Sequence, residues 1–242
     1  MTGSAGGDRR ATSPEPNGPG ASVTQEQIRR WGPTWSRRVG WMLAHAWWNT
    51  EVVGAEHIPA AGRVLVAPNH SGAIDGPLVH GAIPRGSHFL VKQEFFTSRL
   101  GFLMDLSGQI PVDRSNGGPA LNVARTLLEE ERCVGVFPEG TRGRGDVARA
   151  RAGIAWLAVH TGAPVVPCAV LGTRPPGRSR GFIPPPRSRL YVEFGEPLEF
   201  SAGGGRREIA GAMSRIQEAM VGLLDRAQQR TGLALPDADP PR

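Results

Sequence analysis

Short, β-branched apolar runs that alternate with amphipathic segments constrain the fold of this 242-residue chain more than any other feature. Such runs are typical of buried strands, and the segments between them repeat their apolar residues at helical spacing. The candidate strands cover residues 63–67, 88–91, 133–137, 165–171 and 190–194, and the candidate helices cover residues 76–81, 120–132, 150–160 and 206–229. Ile110-Pro111-Val112 predicts an edge strand, because Pro111 cannot donate a ladder hydrogen bond. The alternation predicts an α/β layered fold, with a mostly mixed β-sheet flanked by helices and an N-terminal helical segment.

Composition divides the chain into four parts, and the length suits one domain with appended tails. Residues 1–23 and 233–242 are poor in large apolar side chains and rich in residues that favour loops, so both are predicted to be disordered tails. Residues 24–49 hold five of the six tryptophans among several arginines. They predict two short helices divided by Pro33. The folded domain is expected over residues 50–232.

The tryptophan-rich segment, residues 24–49, has two interpretations. Indole rings and arginines favour the boundary between lipid headgroups and hydrocarbon, which indicates an interfacial membrane helix. Alternatively, a terminal helix packs its tryptophans onto the core. The sequence leaves both open.

The net charge of +6 comes mainly from arginine and favours anionic partners. Nucleic acid is disfavoured, because the sequence has no zinc-finger spacing, RNP-like strand or helix-turn-helix signature. No apolar stretch approaches the roughly 20 residues of a spanning helix, and the first residues lack the apolar centre of a secretory signal. These features predict a cytoplasmic protein that lies peripherally on an anionic membrane surface, at the inner face of the cell membrane.

His70 and Asp75 follow the first predicted strand of the domain and suggest an acid–base pair. On a continuous helix a spacing of five residues would place them about 140° apart, on different faces. A turn after His70 is therefore required, and Ser71-Gly72 supplies residues suited to it. An imidazole next to a carboxylate can remove a proton and carry the resulting charge.

A second polar cluster, Phe137-Pro138-Glu139-Gly140-Thr141-Arg142, follows a later predicted strand. It could be an exposed turn whose charges are solvated. In the functional interpretation, the glycine lets the backbone approach a ligand while the hydroxyl, backbone amides and guanidinium contact a phosphate. In folds of this class, ligands bind beyond the carboxyl ends of strands, where both clusters are expected.

These two clusters resemble the first and third motifs of the glycerolipid acyltransferase family, whose familiar members are the 1-acylglycerol-3-phosphate acyltransferases. Ile110-Pro111-Val112-Asp113-Arg114, preceded by Lys92-Gln93-Glu94, is similar to the second motif, and Val165-Val166-Pro167 to the fourth. The resemblance covers roughly residues 50–200. Two positions depart from the pattern: Gly143 follows Arg142 where serine is common, and residues 98–101 lack a frequent proline.

The resemblance implies direct transfer of an acyl chain from acyl-CoA or acyl carrier protein to the free hydroxyl of 1-acylglycerol-3-phosphate, giving phosphatidic acid in phospholipid biosynthesis. His70 would be the general base and Asp75 would orient it. The implied substrate-binding residues are Lys92, Arg114, Glu139, Gly140, Thr141 and Arg142. No cofactor or metal is expected beyond the acyl donor, because the histidines show no metal-ligand spacing.

Three alternatives stay open at this point. The same chemistry could act on another lysophospholipid or a glycolipid. A thioesterase would use water as the acceptor. A lipid-binding module without turnover is the alternative from a different class, although it would not need a base beside a phosphate site.

Overall fold

The structure is a computed structural model, and it describes residues 23–99, 101–148 and 150–237. The predicted disordered tail at residues 1–23 lies outside the described residues except for Val23, which packs against the core. At the other end, residues 233–237 form neither helix nor strand. Leu233 and Leu235 nevertheless pack against the core, so the prediction of a disordered tail is wrong for these residues. Residues 238–242 lie outside the described residues.

A seven-stranded sheet forms the centre of the described chain. Its strands are β1 (Asn49–Val53), β2 (Val64–Pro68), β3 (Ser87–Lys92), β4 (Ile110–Val112), β5 (Cys133–Gly135), β6 (Val165–Leu171) and β7 (Arg189–Phe194). Its helices are α1 (Gly32–Met42), α2 (Asp75–Ala82), α3 (Gly101–Leu106), α4 (Gly118–Glu129), α5 (Gly153–Thr161) and α6 (Arg206–Thr231). Short 3₁₀ turns cover Gln25–Gln27, Ala55–His57 and Gln93–Phe95, and a π-helical turn covers Leu43–Trp47.

The sheet is mixed, as predicted. The strand order is β1-β7-β6-β2-β5-β3-β4, which leaves β4 at an edge as Pro111 required. Between the described strands, β6 and β7 pair antiparallel and the other neighbours pair parallel. The antiparallel pair is joined by a loop instead of a crossover helix.

Both faces of the sheet are buried. In β2, Leu65 and Ala67 join the cluster that contains residues of α4, α5 and α6, whereas Val64 and Val66 join the cluster that contains residues of α2 and Trp48. This division follows from the alternation of side chains along a strand. It also explains why these strands appear in the sequence as continuous apolar runs.

The N-terminal segment differs from its prediction. Pro33 lies in the first turn of α1, where its missing N–H costs no helical hydrogen bond, and does not separate two helices. Helix α1 packs tightly on α2: a Cβ atom on Gly81 would lie 2.2 Å from the carbonyl carbon of Gly40. The segment continues through the π-helical turn to the buried Trp48.

Candidate active site

Five adjacent strands bring the predicted site residues to one edge of the sheet. Strands β6, β2, β5, β3 and β4 are mutually parallel, so their carboxyl ends share that edge. His70 follows β2, the cluster at residues 137–142 follows β5, Lys92 ends β3 and Arg114 follows β4. The rule that ligands bind beyond the carboxyl ends of strands therefore points to this edge.

The His70–Asp75 pair forms through the turn that the spacing required. Asp75 is the first residue of α2, and its side chain is fully buried. Its Oδ2 lies 2.9 Å from His70 Nδ1 and accepts hydrogen bonds of 2.8 Å from the backbone amides of Ser71 and Gly72. Because a carboxylate only accepts, the proton of a neutral His70 resides on Nδ1, and Nε2 carries the basic lone pair.

The His70 ring is packed but accessible. It stacks on the Phe137 ring with centroids 4.2 Å apart, and its side chain is 20% exposed. Phe137 in turn contacts Phe89 of β3. Strand β5 ends at Gly135, two residues earlier than predicted, so Phe137 belongs to the site loop and not to the sheet.

The loop that follows β5 fixes the backbone of His70 from both sides. Glu139 Oε1 accepts a 2.9 Å hydrogen bond from the His70 amide, and the Gly143 amide donates a 2.9 Å hydrogen bond to the His70 carbonyl. Gly145 has a φ of 72°, and a Cβ there would lie 2.8 Å from Asn69 Nδ2. Gly143, which departs from the family pattern, and Gly145 are thus part of the contact between the loop after β5 and the loop that carries His70.

Glu139 occupies an unusual environment for a carboxylate. Burial is the main cause that raises the pKa of Glu139 to about 7; the hydrogen bond from the His70 amide opposes this shift, and the charges of Asp146 and Asp75 add to it. The sequence predicted that Glu139 binds the acceptor, whereas the structure places its carboxylate on the backbone of the base. Contact with an acceptor stays a prediction.

The cationic side chains of the site are held more loosely. Arg142 Nη1 donates a 3.1 Å hydrogen bond to the backbone carbonyl of Arg180, and Lys92 forms a 2.6 Å ion pair with the exposed Glu94. Arg114 is exposed and also acts electrostatically on Glu94. Such exposed contacts exchange readily for an anionic ligand.

The two remaining predicted residues lie between Glu139 and Arg142. Gly140 has a φ of 65°, which favours glycine. Thr141 is exposed. Gly140 is half-buried, and a Cβ there would lie 3.1 Å from the Arg151 side chain, so within this pair the exposed residue next to Arg142 is Thr141.

Three residues outside the predicted set support the histidine loop. Asn69 is buried and exchanges two hydrogen bonds with the backbone of Val170 in β6. Thr173 Oγ1 lies 3.4 Å from Ser71 Oγ, and the buried Arg174 directs Nη1 toward the Ser71 carbonyl at 3.5 Å. The only signal in the sequence for Thr173 and Arg174 was their position directly after a buried strand. Across residues 23–99, 101–148 and 150–237, no group of three or more His, Cys, Asp or Glu side chains is placed to hold a metal ion.

Comparison with known proteins gives consistent matches. The family model described as Acyltransferase matches residues 49–171. A 1-acyl-sn-glycerol-3-phosphate acyltransferase from Bacillus subtilis is 34% identical over 151 residues, which are 61% of this chain and 73% of that protein. The human 1-acyl-sn-glycerol-3-phosphate acyltransferase alpha is 34% identical over 123 residues, which are 48% of this chain but only 44% of the human protein.

The fold also has a solved counterpart. The crystal structure of the 1-acyl-sn-glycerophosphate (LPA) acyltransferase PlsC from Thermotoga maritima superposes with a TM-score of 0.64. The matched region spans 81% of this chain and 79% of the Thermotoga maritima chain, with 21% sequence identity. At that identity the likeness supports the layered α/β fold.

Proposed function

Since the chain belongs to the acyltransferase family, we propose that it transfers an acyl chain from a thioester to the free hydroxyl of 1-acylglycerol-3-phosphate, giving phosphatidic acid. The observation that carries the proposal is the buried Asp75 carboxylate, which keeps the proton of a neutral His70 on Nδ1 and leaves Nε2 to act as the base. Arg142 follows β5 at the same edge of the sheet. The names of the bacterial and human relatives support the same acceptor.

The reaction balances with the residues of the site alone. His70 Nε2 takes the proton of the acceptor hydroxyl, whose oxygen attacks the thioester carbonyl carbon. The tetrahedral intermediate collapses, the carbon–sulfur bond breaks, and the leaving thiolate takes the proton from His70. Asp75 stabilises the imidazolium between the two proton transfers. The donor is acyl-CoA or acyl carrier protein, and the proposal includes no cofactor or metal.

The acceptor phosphate is proposed to bind Arg142, with Lys92 and Arg114 adding positive charge. A guanidinium binds a phosphate more strongly than a neutral carbonyl, because both partners are ionised. The Arg142 hydrogen bond to Arg180 is therefore expected to be replaced when the acceptor binds. Thr141 and Gly140 lie beside this contact and complete the proposed acceptor site.

We also propose that the protein acts peripherally at the inner face of the cell membrane. None of the helices in the described part of the chain has both the length and the apolar character needed to cross a membrane. Trp31, Trp41 and Trp47 are each more than half exposed, and Arg37 and Arg38 line a surface depression with Trp41. Exposed indoles beside arginines favour the headgroup boundary of an anionic bilayer. Trp48, by contrast, is buried, so the segment both packs on the core and exposes aromatic side chains.

The reaction is tested by following thiol release and lipid product together, with a long-chain acyl-CoA and 1-acylglycerol-3-phosphate. Thiol release is expected to require the acceptor and to fall about 10³-fold in His70→Ala, the range expected for a general base. His160→Ala is a matched control, because His160 is exposed on α5, where its Nδ1 lies 2.8 Å from the Trp156 carbonyl oxygen and its ring stacks on that of Trp156.

Other outcomes would correct the proposal. Thiol release that ignores the acceptor would indicate hydrolysis and overturn acyl transfer. Preference for another lysophospholipid or a glycolipid would keep the reaction and change the acceptor. Full activity in His70→Ala would overturn the proposed base.

A further inference from the structure

The loop between β6 and β7, residues 172–188, carries features that the proposed reaction does not use. It contains five prolines and four arginines, and no acidic side chain. It forms neither helix nor strand. Arg178, Arg180 and Arg187 are exposed, so the loop presents a cationic surface.

The tip of this β6–β7 loop is apolar. Ile183 is 65% exposed, more than any other large apolar side chain in the described part of the protein. The Phe182 ring next to it lies under the Arg178 guanidinium, 5.1 Å from its centroid. An isoleucine exposed to this degree, flanked by cations, suits a surface that is apolar inside and anionic outside.

The tip is held in place beside the tryptophan-rich segment. Trp48 Nε1 donates a 3.0 Å hydrogen bond to the Pro184 carbonyl, and the Arg187 amide donates a 2.7 Å hydrogen bond to the Trp47 carbonyl. Three consecutive prolines follow Ile183 and restrict the backbone. Ile183 thus adjoins a backbone that is held against the Trp47–Trp48 segment, so its presentation costs little further conformational entropy.

We propose that the β6–β7 loop is a second membrane-docking element, in which Ile183 enters the lipid while Arg178, Arg180 and Arg187 contact anionic headgroups. This inference rests on the proposed function and extends it, because it adds a surface outside residues 24–49. The occupant is a bilayer with anionic lipid. An acidic protein would pair with the arginines but would leave Ile183 without a role.

The same loop reaches the proposed acceptor site. The Arg180 carbonyl accepts the hydrogen bond from Arg142, so the loop connects the docking tip with the cation proposed to bind the acceptor phosphate. A lysophospholipid resides in the bilayer on which the loop docks. Docking therefore brings the phosphate of the acceptor to the side of the loop where Arg142 lies.

The test is co-sedimentation of the full chain with vesicles, without acyl donor. Vesicles of phosphatidylcholine alone are compared with vesicles that also contain phosphatidylglycerol. Ile183→Asp is expected to weaken binding to both about tenfold, and Arg178→Gln to weaken binding only to the anionic vesicles, about fivefold. Val221→Asp is the matched control, because Val221 is 38% exposed on α6, in the helix layer on the other face of the sheet from Trp48.

Several outcomes would overturn the docking proposal. These are failure of the native chain to bind anionic vesicles, undiminished binding by Ile183→Asp, or equal losses in Val221→Asp. Loss of acyl carrier protein binding in Ile183→Asp, with vesicle binding intact, would assign the loop to a protein partner instead. Thermal unfolding of each variant checks that the fold is retained.

A separate measurement tests the proposed acyl transfer independently of membrane docking. Turnover of a short-chain, water-soluble lysophosphatidic acid reports acyl transfer without a bilayer. Absence of this turnover in the native chain would count against the reaction, whereas the vesicle measurement, made without turnover, would still decide the docking.

Discussion

The two charged halves of the site differ in how firmly the protein holds them. Asp75 is fully buried, and its Oδ2 accepts hydrogen bonds from one side chain and two backbone amides. Arg114 is exposed, and Lys92 and Arg142 contact an exposed carboxylate and a backbone carbonyl. The base is thus organised before substrate arrives, whereas the cations can rearrange around the ligand.

This difference has a physical basis. A buried carboxylate is tolerated only when hydrogen bonds replace its lost hydration, and those bonds also fix the histidine that it orients. An exposed arginine keeps its hydration and its rotamer freedom until a phosphate binds. Changes to the buried half should therefore affect the rate of the chemical step, and changes to the exposed half should affect acceptor binding.

Among variants of the charged residues in the two halves, Asp75→Asn is expected to have the largest effect. The amide oxygen can still accept from the backbone, but the negative charge that stabilises the His70 imidazolium is lost. We expect kcat to fall about 10²- to 10³-fold with a small change in KM. Steady-state kinetics with varied acceptor measure both constants.

The control for this variant is Asp146→Asn, since Asp146 is a half-buried carboxylate whose contacts are a 3.5 Å ion pair with the exposed Arg144 and a 3.2 Å hydrogen bond from the Ala148 amide, and not the base. It is expected to change kcat by less than about twofold. A similar fall in kcat in both variants would show that the buried Asp75 carboxylate does not specifically support the base.

Arg142→Ala is expected to act on binding. Loss of a charged contact to the acceptor phosphate should raise the acceptor KM about 10- to 30-fold and leave most of kcat at saturation. Arg144→Ala removes an exposed arginine two residues away and serves as the comparison. If Arg142→Ala lowers kcat and leaves KM unchanged, the division between the two halves of the site is wrong.

Glu139→Gln is expected to change how stability depends on pH. The pKa of Glu139 is about 7 in the folded chain, above its ordinary value of 4.5, so the folded state binds the proton more tightly than the unfolded state. The raised pKa therefore adds to the free energy of unfolding below about pH 4.5. This contribution, about 2 kcal/mol after allowance for partial exposure, is lost as the pH rises through 7.

The variant removes this titration and keeps an oxygen that can accept from the His70 amide. Urea unfolding of both proteins between about pH 5 and pH 7 measures the effect. The native chain should lose stability across this range more steeply than Glu139→Gln. Parallel profiles would contradict the raised pKa.

Much of the sheet was predictable because its strands are buried on both faces. Strand β6 matches its predicted bounds at residues 165–171, and β4 lies at the edge as the proline indicated. Strand β1, by contrast, begins Asn49-Thr50-Glu51 and was not predicted. It is an outer strand that pairs with β7 far along the chain, so its polar residues show no apolar run.

In the site, too, local contacts were predictable from the sequence and long-range contacts were not. The spacing of His70 and Asp75 predicted a turn between them, because a regular helix separates two residues five apart. No local rule, however, indicates that the Glu139 carboxylate lies on the His70 amide, since that contact joins loops after two different strands. Likewise, the exposed and buried tryptophans of residues 24–49 have the same local composition and differ only in what α1 and the following turn contact.

The sequence by itself determined most strands of the central sheet, most of the helices that flank it, the reactive residue types and the turn that lets His70 meet Asp75, because each depends on residues close along the chain. Only the tertiary structure decided that the loops after β2 and β5 contact each other, that Leu233 and Leu235 pack on the core, and that the loop carrying the exposed Ile183 is held against Trp47 and Trp48. These contacts join residues that are distant in sequence, so they depend on strand order and packing.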